Sequence, residues 1–131
     1  MKQINTYITE KLKLNRDSGR KYNYHPTSKE QLQRIVRNLL HERGKDADLN
    51  DIDVSEIDDM SGLFNHIMDP HNIDISEWDV SNVKDMWMMF FKCKNFNCDL
   101  SQWDVSNVQS FGDMFLGCDS LKKIPEWYKD K

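Results

Sequence analysis

With three cysteines, three prolines and five glycines in 131 residues, the chain has little of what makes cross-links and sharp loops. An odd and small set of cysteines, Cys93, Cys98 and Cys118, cannot build a disulfide framework, and a reducing compartment is the simpler home for it. The sequence also lacks a glycine-rich phosphate loop, a G-x-S-x-G elbow, an H-E-x-x-H helix and the glycine-rich pattern of calcium-binding repeats. No apolar run approaches the roughly 20 residues that a membrane helix needs. The opening residues interleave Ile4, Tyr7, Ile8, Leu12 and Leu14 with Asn5, Thr6, Glu10 and Lys11, which is not a secretory signal. Surplus positive charge is missing too. A net charge of −4 argues against a dedicated nucleic-acid binder.

What is present is lean. Apolar residues make up 38% of the chain and charged ones 31%, so a narrow core and one domain with a small appendage are expected. The charge is divided. Residues 1–48 hold 11 of the 18 Lys+Arg and 6 of the 22 Asp+Glu, a balance of +5, which leaves −9 for the rest.

Beyond that division the chain repeats itself. SEWDVSNVKDM from Ser76 recurs as SQWDVSNVQSF from Ser101, a period of 25, and LNDIDVSEIDDM from Leu49 matches ISEWDVSNVKDM from Ile75 at 26. IPEW from Ile124 continues the series from Leu100 at 24. Apolar positions align into columns: Leu49/Ile75/Leu100/Ile124, Ile52/Trp78/Trp103/Trp127, Val54/Val80/Val105, Ile57/Val83/Val108, Met60/Met86/Phe111, Leu63/Met89/Met114, Phe64/Phe90/Phe115 and Ile67/Cys93/Cys118. One unit cannot bury its own apolar face, so like must stack on like. Trp78 and Val80 alternate with Asp79 and Ser81 as in a strand. Met86, Met89, Phe90 and Cys93 follow at i, i+3, i+4 and i+7 as in a helix. The expected fold class is therefore α/β, a short right-handed solenoid of three to four leucine-rich-repeat-like coils. The runner-up is an irregular β-solenoid with turns in place of the helices.

Leu32, Ile35, Val36, Leu39 and Leu40 predict an amphipathic helix over residues 28–43, with a capping box at Thr27 and Glu30 and a stop at Gly44. Its expected task is to close one end of the repeats as an N-terminal helical cap. The expected division is an N-terminal arm (1–25), a capping helix (26–47), the repeats (48–127) and a tail (128–131).

The repeated WDVSNV, followed by D-M, M-M-F, a Cys and FN-x-DLS-x-W, resembles the BspA-like leucine-rich-repeat family, bacterial surface-protein repeats of about this period. That resemblance implies the repeat fold and a general binding role, and known members are mostly surface-adhesion proteins. The opening INTYITEKLKLN resembles leaders on gut-bacteriophage proteins, where such segments direct packaging. The lack of a secretory signal and the few cysteines point instead to the cytoplasm of a host cell or to a phage particle.

Three chemical readings compete with simple structure. His66, His71, Cys93 and Cys98 could be drawn together around zinc, but Cys93 and Cys118 share a core column with Ile67, as buried cysteines do. Asp53/Asp79/Asp104 could hold calcium, or each could accept from a nearby N–H and its own Ser and fix a turn; the turn is the better reading. Lys11, Lys13, Arg16, Arg20 and Lys21, with Tyr22 and Tyr24, could meet nucleic acid, though the acidic repeats oppose it. No catalytic constellation and no cofactor are expected.

The informative positions are those where one unit breaks the pattern. Ser61 and Gly62 of the first unit become Trp87 and Met88 in the second and Gly112 and Asp113 in the third; Asn65 becomes Phe91 and then Leu116. If these columns face solvent, Trp87, Met88, Phe91 and Leu116 make an exposed apolar patch, rimmed by Lys84, Lys92 and Gln109. Such a patch marks a protein partner or self-association, unless the N-terminal arm folds back over it. The expected function is a non-catalytic protein-binding module, in one form a phage or mobile-element protein that blocks a host factor. A packaged structural protein, or a surface-adhesion-type repeat protein, is the alternative, and a metal-binding protein comes third.

Overall fold

The computed structural model describes residues 22–65 and 72–129. Its long helix, α1 (Lys29–Arg43), forms where the amphipathic spacing places it, with Leu32, Val36 and Leu39 buried. The capping box sits one residue later than expected. Ser28 Oγ accepts from Gln31 N at 3.2 Å, and Gln31 Oε1 accepts from Thr27 N at 2.8 Å, so Ser28 is the N-cap and Gln31 is its partner. At the other end Gly44, with φ of 91°, donates its N–H to Leu40 O at 2.9 Å, the left-handed stop that glycine supplies best.

The expected α/β solenoid of leucine-rich-repeat-like coils does not form. Between Asp48 and Pro125 the described residues contain no helix and no strand, only isolated bridges. Hydrogen bonding explains why. Trp78 N donates to Ile75 O, Val83 N to Val80 O, Met89 N to Met86 O and Cys93 N to Phe90 O, so these carbonyls are used in four-residue turns within the repeat. The helical spacing of Met86, Met89, Phe90 and Cys93 fails for a second reason. Met88 and Lys92 take φ of 54° and 58°, left-handed values that no right-handed helix can include.

The repeats nevertheless lie side by side and in register. Parallel bridges join Asp48 to Asp74, Asp59 to Asp85 and Asp85 to Ser110. Between the second and third repeats, N–H groups of Met86, Met88, Phe90 and Lys92 donate to carbonyls of Ser110, Gly112, Met114 and Leu116. Three side-chain ladders follow the same step. The indoles of Trp78, Trp103 and Trp127 donate to Leu49 O, Ile75 O and Leu100 O at 2.9, 3.0 and 2.9 Å. Asn82 and Asn107 donate to Ser55 O and Ser81 O at 2.8 and 2.6 Å. Phe90 stacks between Phe64 at 5.2 Å and Phe115 at 5.6 Å, within 8° and 3° of parallel. The apolar columns bury as the alignment implies through the second repeat; in the third, Val105, Val108 and Cys118 are half-buried, as is Trp127 beyond it, Ile124 is exposed, and Ile67 lies outside the described residues.

Each end of the repeats is covered differently. On the first repeat, Lys29 Nζ donates to Ser61 O at 3.2 Å and Gln33 Nε2 to Leu63 O at 3.3 Å; spaced i and i+4, they reach from one face of α1. Arg43 forks onto Asp51, 2.9 Å to each oxygen, and Tyr24 bridges in parallel to Ile52. On the third repeat a single helical turn, α2 (Glu126–Lys129), lays Trp127 on Trp103 at 6.4 Å and Tyr128 edge-on to Phe115 at 4.9 Å.

Candidate functional site

Turn chemistry fixes the exposed surface. Asp53, Asp79 and Asp104 each accept the backbone N–H of the Ser two residues on, at 3.0 to 3.1 Å, and Asp79 and Asp104 also take the Ser hydroxyl at 2.6 and 2.7 Å. These are Asx turns, each made by Oδ1 of its Asp. Two further columns do the same work. Asp48, Asp74 and Asp99 hold the N–H of Asn50, Ser76 and Ser101, and Asp59 and Asp85 hold those of Ser61 and Trp87. Among the described residues no group of three or more His, Cys, Asp or Glu is placed to hold a metal.

The cysteines are also engaged. Cys93 and Cys118 donate their thiols to Phe64 O and Phe90 O at 3.6 and 3.0 Å. Burial pushes Cys98 and Cys118 up to about 11, so both are thiols at neutral pH and poor ligands or nucleophiles. His66 and His71 lie outside the described residues, as do Lys11, Lys13, Arg16, Arg20 and Lys21 of the basic arm. Tyr24 is half-buried; it accepts from Asp53 N through its carbonyl, which holds its backbone to the first repeat.

The pattern-breaking residues differ in exposure. The turn closed by Asp85 aims Trp87 outward, where half of its surface is exposed. Its indole lies on the third repeat at Gly112, where an added Cβ would come within 2.8 Å of Trp87 Cδ1. Met88 and Phe91 are half-buried, and Leu116, in the same column as Phe91, is 57% exposed. Lys92 places Nζ 5.2 Å from the centre of the Phe91 ring, and its N–H donates to Leu116 O at 2.7 Å. Lys84 and Gln109 are exposed and joined through Gln109 N and Lys84 O at 2.7 Å. Gln109 also lines a recess of about 420 Å³ with Phe111, Gly112, Asp113 and Tyr128.

Backbone conformation marks the same residues. Gly62, Met88 and Asp113 share one column with φ of 59°, 54° and 53°, and Lys92 shares a second with Gly117, φ 58° and 83°. A bulky residue in the left-handed region is an outlier that costs about 1–2 kcal/mol. Met88→Gly is therefore expected to be about 1 kcal/mol more stable than Met88→Ala, the reverse of the ordinary order. Urea denaturation of the two variants measures that difference.

The family model described as Mycoplasma protein of unknown function, DUF285, matches residues 31–131. No curated protein and no solved structure matches the chain.

Proposed function

Because the chain belongs to the family described as Mycoplasma protein of unknown function, DUF285, whose description names no activity, we propose from its geometry that it is a non-catalytic protein-binding module. The contact surface is the patch of Trp87, Met88, Phe91 and Leu116, with Lys84, Lys92 and Gln109 at its rim. The observation that carries this reading is the left-handed backbone of Met88 and Lys92 beside a half-exposed tryptophan. Strain of this kind persists where a function keeps it, and the column neighbour Gly62 shows how easily glycine would relieve it. Tryptophan ringed by adaptable side chains is the composition of an interface centre. Kinship with BspA-like surface-protein repeats belongs to the same proposal. It is supported by the WDVSNV units at Trp78 and Trp103.

The test compares wild type with the Trp87→Ala/Phe91→Ala variant, the two matched for thermal stability, in cross-linking and mass spectrometry from source-cell lysate. A protein captured stoichiometrically by wild type should fall at least tenfold with the variant. Equal recovery, or no stoichiometric capture by either, rejects the patch as a binding surface.

A further inference from the structure

We propose that the partner docks by adding an extended stretch of its own backbone to the edge formed by residues 113–117. This rests on the protein-binding reading above and specifies its mode. Inside the molecule, this stretch of each repeat donates to the next: Gly62 N to Trp87 O and Phe64 N to Met89 O, then Met88 N to Gly112 O, Phe90 N to Met114 O and Lys92 N to Leu116 O. In the third repeat the corresponding groups, the N–H of Asp113, Phe115 and Gly117, have no acceptor among the described residues. Backbone donors left in this way are a template for pairing.

At Asp113 and Phe115 the edge offers donors alone. The carbonyls of Asp113 and Phe115 already accept from Leu116 N and Cys118 N within their own turns. Two copies of the chain therefore cannot pair edge to edge, because N–H would face N–H. Nor can one copy stack on the first repeat of another. Its acceptor carbonyls, Ser61 O and Leu63 O, are taken by Lys29 and Gln33 of α1. A whole further repeat is excluded as well, since Trp127 and Tyr128 occupy the tryptophan and phenylalanine columns that it would need.

What fits is an extended polypeptide segment with carbonyls at alternate positions, the β-augmentation mode of recognition. Its residues facing Tyr128 must be small, and the recess between Tyr128 and Gly112 and Asp113 receives them. On the outer side an apolar residue would lie beside Leu116 and extend the Phe91 and Leu116 column toward the patch.

The probe is a capped peptide of residues 109–117, whose native counterpart presents the Gly112, Met114 and Leu116 carbonyls to the second repeat. It carries Phe111→Ala, Met114→Ala and Phe115→Ala to clear Tyr128. Amide hydrogen exchange of the full chain is followed by NMR as peptide is added. The N–H groups of Asp113, Phe115 and Gly117 should exchange rapidly in the free chain and at least tenfold more slowly with the peptide, while Met88, Phe90 and Lys92 stay unchanged. Slow exchange of all three in the free chain would mean that another part of the chain fills the edge, and would overturn the proposal. So would unchanged exchange at millimolar peptide. If the Trp87 indole and Leu116 methyl resonances shift while the three amides stay fast, backbone addition is rejected and the protein-binding reading survives. Loss of that reading is recorded separately, by the comparison of wild type with Trp87→Ala/Phe91→Ala.

Discussion

Phe90→Ala is expected to lower the unfolding free energy by about 4 kcal/mol, within the range for removing a buried phenylalanine. Phe90 is fully buried and lies against Phe64, Phe96 and Phe115, with ring centres 5.2, 4.2 and 5.6 Å away. The substitution removes the ring's transfer energy and leaves a cavity bounded by three other rings. The ladder backbone, fixed by Phe64 N, Phe90 N and their acceptors in the next repeat, restricts collapse into that space. For a domain of this size, with total stability of about 5–15 kcal/mol, the loss is a large share of the whole. Phe90→Leu keeps most of the volume and should cost less than about 1.5 kcal/mol. Equilibrium urea denaturation of the three proteins is the measurement. A loss below 1.5 kcal/mol for the alanine variant would mean that the phenylalanine column is not the core that joins one repeat to the next.

That column is legible in the amino-acid sequence, and the reason is physical. A residue repeated every 25 or so positions with constant apolar character can be buried only against its own copies. The conformation between the columns is less legible. Trp78 and Val80 alternate with polar neighbours both in a strand and in a chain that turns at every Asp, so period-two alternation does not separate the two. The deciding signal lies in the polar residues. Asp79 and Ser81 are spaced as an Asx turn, and the same spacing at Asp74 and Ser76 puts two turns where a strand is expected. The left-handed column is half legible, since Gly62 announces it in the first repeat while Met88 and Asp113 conceal it in the others. Phe96, which stacks on Phe90 more closely than any other ring, is matched only by Leu121 in the next repeat, where the same turn bonds to Cys93 and Cys118 recur, so its aromatic character is not repeated. The exposed Trp87 and Leu116 are readable as departures from the repeat. The donors of Asp113, Phe115 and Gly117, without acceptors among the described residues, are not, because the pairing of their counterparts in the other repeats joins residues about 25 positions apart.

The attachment of α1 is also beyond sequence reasoning, and it carries the second large effect. Asp51→Ala is expected to cost about 3 kcal/mol. Asp51 is nearly buried, with its side chain 10% exposed, and it accepts from both terminal nitrogens of Arg43 at 2.9 Å and from Asn23 Nδ2 at 2.8 Å. Removing it strands the guanidinium of a side chain that is about one-third exposed, and an unpaired charge is what makes such a loss large. Arg43 keeps one bond, to Asp48 O at 2.9 Å, which places the effect at the lower end of the usual range of about 3–5 kcal/mol. The double variant Arg43→Met/Asp51→Ala should lose less than the sum of the single changes, because neither partner is then left charged and alone. Acid gives an independent check. The hydrogen bonds from Arg43 hold the Asp51 carboxyl below its ordinary value, so the folded state binds its proton more weakly than the unfolded state does. The contribution of Asp51 is then fully present above the unfolded aspartate value of about 3.9 and is lost as pH falls through the lower, folded one. Denaturation curves of wild type and Asp51→Asn should therefore lie furthest apart above about pH 5 and converge as the solution is acidified below about pH 4. A gap that stays constant across that range would show that the charge of Asp51 is not what fastens α1 to the first repeat.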